Sequence, residues 1–142
     1  MYIPQTELFW GLNQHVVSRV MAIAERQVFN PGDVLFHHGD AARFLYILAQ
    51  GEVKIAMDES GKCVYTGNRV GEAFGWGCLV NCDTYGGSAV CETPVVVLRI
   101  DRERLLKLFD SDMESGYLFF KHLSCALGCR LVQACQQVPS TG

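Results

Sequence analysis

Two groups of residues in this chain have types and spacing that could do chemistry. The first is Gly71-Glu72-Ala73-Phe74-Gly75-Trp76-Gly77-Cys78-Leu79, read through to Gly86-Gly87-Ser88-Ala89. Gly75 and Gly77 permit a ligand to approach the backbone closely, a helix N-terminus at this point would favour an anion, and Ser88 adds one hydroxyl. Neither stretch contains Lys or Arg, so that cradle has no cation of its own. The second group is His122, Cys125 and Cys129, at i, i+3 and i+7 of a helix-like segment and within about 60° of one another, which would present soft ligands on one face.

Other candidates carry less. The seven cysteines are odd in number, and none forms a CxxC pair with zinc-ribbon spacing. With no secretion signal they are expected to be mostly reduced and buried. Cys78 and Cys82, in or beside the glycine-rich stretch, are open to oxidation in principle, but their expected role is that of small buried hydrophobes. His37-His38 has no matching His/Glu set on other strands, which disfavours a cupin-like metal enzyme. No nucleophile and base pair or metal motif stands out, so no catalytic residue, metal site or cofactor is expected and the chain is not read as an enzyme.

The elements that must position these residues follow from patterning. The chain has 142 residues, nearly half of them hydrophobic, enough for one domain over 1–142. Leu8, Phe9, Leu12, Val16, Val17, Val20 and Ile23 suit one or two short amphipathic helices between about Thr6 and Arg26. Val34 to Phe36, Phe44 to Leu48, Val53 to Ala56, Val64-Tyr65, Ser88 to Cys91 and Val95 to Ile100 are short strand-like runs. Glycine turns separate several of them, the signature of a sandwich or barrel. Asp101 is placed as an N-cap for a helix from Arg102 to Phe109. From about Glu114 to Gln136 a long helix carries Phe120, Leu123, Leu127, Leu131 and Ala134 within an arc of roughly 80°. That arc lies nearly opposite His122, Cys125 and Cys129, so one face is expected to meet the strands and the other a partner chain; the spacing does not say which.

A net charge of -3 with scattered basic residues supplies no electrostatic footprint for nucleic acid. The longest apolar runs, such as Phe44 to Ala49, fall far short of the roughly 18 residues of a membrane span, and no signal peptide is evident. A soluble cytoplasmic protein with no direct nucleic-acid or membrane contact is the expectation.

The ordered set Phe29-Asn30-Pro31-Gly32-Asp33-Val34-Leu35-Phe36, Gly39-Asp40, Phe44-Leu45-Tyr46-Ile47-Leu48 and Gly51-Glu52-Val53-Lys54-Ile55, followed by the glycine-rich stretch, resembles the cyclic-nucleotide-binding domain family from about Leu8 to about Cys135. The resemblance implies a mainly β fold with flanking helices: a jelly-roll-like β-roll over about 28–100, preceded by N-terminal helices and followed by C-terminal helices over about 101–137. It also implies a ligand site at Phe74, Gly75, Trp76, Gly77, Cys78, Gly87, Ser88 and Ala89. In the family a Glu in an FGE motif binds the ribose and an Arg before Ser/Thr-Ala neutralises the cyclic phosphate. Here Trp76 stands in place of that Glu, and Gly87, or Gly86 with a one-residue shift, in place of that Arg. Burying a phosphate without its guanidinium resembles breaking a buried ion pair, at a cost of about 3 to 5 kcal/mol.

Trp76 is open to three readings: filling the vacated ribose site, stacking on a different flat ligand, or ordinary packing. The resulting expectation is a non-enzymatic sensor or regulatory module whose altered pocket takes a small ligand, a cyclic nucleotide or another metabolite, or none, with the usual cAMP or cGMP binding weakened. The alternatives are an interaction scaffold with a Trp-filled pocket and, since some relatives sense haem, oxygen or redox state, a sensor built on His122 and cysteines. The long helix resembles the family's dimerisation helix, implying a homodimer.

Overall fold

The computed structural model describes residues 7–56, 63–79 and 83–137, with backbone alone at 63–64 and 133–137. After turns over 7–12, α1 (Gln14–Ile23) is followed by β1 (Glu25–Phe29), β2 (Val34–Phe36), β3 (Phe44–Gln50), β4 (Val53–Ala56), β5 (Cys63–Gly67) and β6 (Ala73–Phe74). A short 3-10 helix, Trp76–Leu79, then leads towards β7 (Ser88–Cys91), β8 (Val95–Asp101), α2 (Arg102–Ser111) and α3 (Met113–Gln137). Two antiparallel four-stranded sheets result, in the orders β1-β8-β3-β6 and β2-β7-β4-β5. This is the β-roll with flanking helices that the sequence resemblance implies.

The central strands are the most apolar. In β3, Leu45, Tyr46, Ile47 and Leu48 are consecutive and all buried, so both faces of that strand are covered and alternation is lost. It pairs with β8 from Phe44 opposite Asp101 to Leu48 opposite Val97, and β8 in turn buries Val95, Val97 and Ile100. The β3–β4 turn uses Gly51 at a φ of 104°, where side chains are strongly disfavoured. On the second sheet β4 pairs β7 from Val53 opposite Cys91 to Ala56 opposite Ser88, which holds the end of the glycine-rich stretch in the sheet.

The helices are fastened by caps and by an aromatic cluster. Asn13 accepts from the His15 N–H at the start of α1, and Asp101 accepts from the Arg104 N–H at the start of α2, the capping role expected of it. Phe119 of α3 meets Phe9 with ring centroids 5.1 Å apart and Phe109 of α2 at 4.8 Å. Among the described residues of the N-terminal segment there is one α-helix, α1, within the one or two expected. The chain beyond it turns at once into strand β1, so the sheet begins at Glu25, earlier than the expected position near 28.

Candidate functional site

A cavity of about 520 Å³ opens between the second sheet, the 3-10 helix and the later part of α3. Phe36, Ile55, Tyr65 and Phe74 come from β2, β4, β5 and β6; Gly75, Trp76 and Gly77 follow β6; Thr84, Tyr85, Gly86 and Gly87 precede β7; Leu127, Arg130 and Leu131 come from α3. The volume is within the range of small-molecule sites. Five aromatic residues and three aliphatic ones line it.

Local chemistry explains how the walls hold their shape. Gly75, at a φ of 75°, lets the chain leave β6 and enter the 3-10 helix. Tyr85 is buried and stacked on Phe36 with centroids 4.0 Å apart. Its hydroxyl donates to the Phe44 carbonyl at 2.6 Å and lies 3.1 Å from the Phe44 N–H, which donates to it. The loop before β7 is thereby tied to β3. Burial raises the Tyr85 hydroxyl well above the usual tyrosine value, so it remains a protonated structural donor.

The expected site residues divide. Phe74, Gly75, Trp76, Gly77 and Gly87 line the cavity. Cys78 is buried in the core, where loss of water around it pushes the thiol up to about 12; it is a thiol and no nucleophile. Ala89 is fully buried in β7, and the Ser88 hydroxyl accepts from the His38 N–H at 2.9 Å, a turn-to-strand tie. Neither Ser88 nor Ala89 lines the cavity. Trp76 is half-buried and lines the cavity.

Arg130 lines the cavity and is a residue that sequence reasoning did not single out. Among the described residues lining the cavity it carries the one charged side chain, and that guanidinium is already engaged. It donates to Glu7 at 2.8 Å, lies 3.8 Å from Glu72, and sits over the Tyr65 ring at 5.2 Å and the Phe74 ring at 5.8 Å. Glu72 is almost fully buried and accepts from the Tyr65 hydroxyl, the Arg69 N–H at 2.9 Å and the Arg69 Nε at 3.1 Å. Burial pushes the Glu72 carboxyl up, but the bonds from Tyr65 and Arg69 outweigh it and hold the group below the ordinary glutamate value. Glu7 also accepts from the Ala73 N–H at 2.8 Å, so the ionic cluster ties the N-terminal turn, β6 and α3 behind one wall.

His122 does not join the cysteines of α3. It is buried, its Nδ1 lies 3.2 Å from the Leu8 carbonyl, and its ring stacks on Trp10 at 4.1 Å, while Cys125 and Cys129 are exposed. No group of three or more metal-ligating side chains is found among the described residues. Cys82 lies outside the described residues.

Comparison with known proteins places this architecture in a family. Residues 26–112, more than half of the chain, match the cyclic nucleotide-binding domain, and the chain belongs to that family. It is 25% identical over 107 residues to a cAMP-dependent protein kinase regulatory subunit of Hypocrea atroviridis, covering 75% of this chain and 22% of that protein. Among solved structures it superposes on a candidate cyclic nucleotide-binding protein of Geobacter metallireducens GS-15 with a TM-score of 0.78, 25% identity and coverage of 87% and 91% of the two chains. With the Thermus thermophilus catabolite activator protein the TM-score is 0.73 at 26% identity, covering 93% of this chain and 61% of that one. The chain spans 22% or less of the length of the curated relatives it matches. Among the described residues no helix is long and apolar enough to cross a membrane.

Proposed function

We propose that this chain is a non-enzymatic regulatory module that senses a small ligand in the cavity between its second sheet and α3, and that the ligand is neither cAMP nor cGMP in the family's usual pose. The observation that carries this reading is an open, aromatic-walled cavity whose one lining guanidinium, among the described residues, is committed to Glu7 and Glu72. A cyclic phosphate beside Gly86 and Gly87 would be buried with no free cation among the described lining residues, at a cost of about 3 to 5 kcal/mol, which is about two to three and a half orders of magnitude in affinity. Phe74, Gly75, Trp76, Gly77 and Gly87 are the proposed binding residues, with Leu127 and Leu131 closing over the ligand from α3.

A thermal-shift titration tests the reading, because a ligand that binds the native state raises its melting temperature. Saturating cAMP, cGMP and cyclic dinucleotides are expected to leave the melting temperature unchanged, while a metabolite panel yields an apolar hit. A strong shift with either cyclic mononucleotide would overturn the altered-pocket argument.

Output is proposed to pass through a homodimer. The outward face of α3 carries Tyr117, 66% exposed, and Val132, 56% exposed, together with Cys125 and Cys129, while Leu123 on the other face is buried. An apolar surface of this kind on a long helix suits a symmetric partner. Light scattering behind size exclusion is expected to give twice the chain mass at micromolar concentration, and a monodisperse monomer would count against it. Because α3 also carries the cavity residues Leu127, Arg130 and Leu131, ligand entry and dimer geometry would be coupled through one helix. A cytoplasmic setting fits this role.

A further inference from the structure

The charges around the cavity select among small ligands. Behind its wall two carboxylates, Glu7 and Glu72, face two guanidiniums, Arg69 and Arg130, so the described cluster is neutral as it stands. Of the two cations, Arg69 is largely in solvent, with its side chain 67% exposed, and Arg130 is the inner one, with its side chain 14% exposed. An anion arriving in the cavity would meet, among the described lining residues, one guanidinium that Glu7 and Glu72 already neutralise, with those carboxylates behind it. That arrangement leaves the charge of an anion without a free counter-charge among the described lining residues. A cationic ligand gains little either, since both carboxylates already hold their partners.

We infer that the cavity takes an uncharged ligand with a flat, mostly apolar ring body. The ring body would lie among Trp76, Phe36, Tyr65 and Phe74, and Leu127 and Leu131 would close over it from α3. Aromatic faces favour flat rings through offset or edge contacts. This inference rests on the sensing role proposed above, and it narrows the ligand to a chemical class.

Two fluorescent probes with nearly the same ring body test it on the full chain: N-phenyl-1-naphthylamine, which is uncharged, and 8-anilinonaphthalene-1-sulfonate, which carries a sulfonate. The uncharged probe is expected to bind saturably with one site per chain and at least about tenfold tighter than the sulfonate. Energy transfer from tryptophan to the bound neutral probe is expected to fall by more than half in Trp76→Phe, which keeps an aromatic wall and the fold. Equal or tighter binding of the sulfonate overturns the inference and leaves the sensing role standing. Undiminished energy transfer in Trp76→Phe places the probe elsewhere and also overturns the inference. Failure of both probes to bind saturably overturns the inference and the sensing role together.

Discussion

Glu72→Ala is expected to destabilise the protein by about 3 to 5 kcal/mol, the range for removing one member of a buried, hydrogen-bonded ionic cluster. The carboxylate receives the Tyr65 hydroxyl, the Asn68 N–H at 3.3 Å, and both the N–H and the Nε of Arg69, with Arg130 at 3.8 Å. Alanine would leave a void at this buried position and take from the inner guanidinium, Arg130, one of its two neighbouring carboxylates, while the exposed Arg69 can turn to solvent. For a chain of this size the loss corresponds to a fall in melting temperature of about 10 °C or more. A second readout separates charge from packing. Glu72 is held below its ordinary value in the folded state, so its contribution is fully present above the unfolded value of about 4.3 and fades as the pH falls through the folded value. The stability gap between the wild type and Glu72→Gln is therefore expected to be widest at neutral pH and to shrink in acid. A gap that stayed constant between neutral pH and strongly acidic conditions would show that the charge of Glu72 contributes nothing.

The same residue marks where reading the sequence ends. The β3 run, the turn at Gly51, the Asp101 cap and the long final helix were all legible, because each is written in adjacent residues: a short apolar run, a glycine, a capping side chain, a periodic stripe. Strand β1 was not. Its residues Glu25, Arg26 and Val28 are exposed at the edge of a sheet, paired on one side only with β8, so no apolar alternation announces it. Strand β6 is two residues long and exists because Tyr46 and Ile47 lie opposite Phe74 and Ala73, a tertiary fact.

Helical periodicity placed residues on an arc but not along a surface. Leu123 is 3% exposed and Leu131, two turns on in the same stripe, is 66% exposed, because the helix passes from the core out to the mouth of the cavity. His122 shares a face with Cys125 by angle, yet Trp10 from the N-terminal turn covers only the histidine. The resemblance located the glycine-rich stretch and its missing charges. It was silent about Arg130, whose partner Glu7 is 123 residues away in the chain. Pairings of that reach leave no local pattern.

Gly75→Val is the second substitution with a large expected effect, because it strikes fold and site at one atom. Gly75 has a φ of 75°, a conformation that a β-branched residue avoids, and a Cβ there would stand 2.9 Å from the Phe44 carbonyl oxygen and 3.1 Å from the Tyr85 ring. Neither neighbour can yield cheaply. The Phe44 oxygen is backbone of the central strand β3, and Tyr85 is fixed by stacking on Phe36 and by two hydrogen bonds to Phe44. Backbone strain and overpacking together are expected to cost about 3 kcal/mol. Gly86 supplies the contrast: a Cβ at that position meets nothing within 4 Å, so Gly86→Ala is expected to change stability by no more than about 0.5 kcal/mol. Denaturant unfolding of the two variants measures the difference directly. If Gly75→Val still folds at low temperature, the displaced Tyr85 ring should narrow the cavity and weaken N-phenyl-1-naphthylamine binding, whereas Gly86→Ala should bind it as the wild type does. Equal stability of the two variants would mean that the tight turn after β6 is not what shapes the cavity wall.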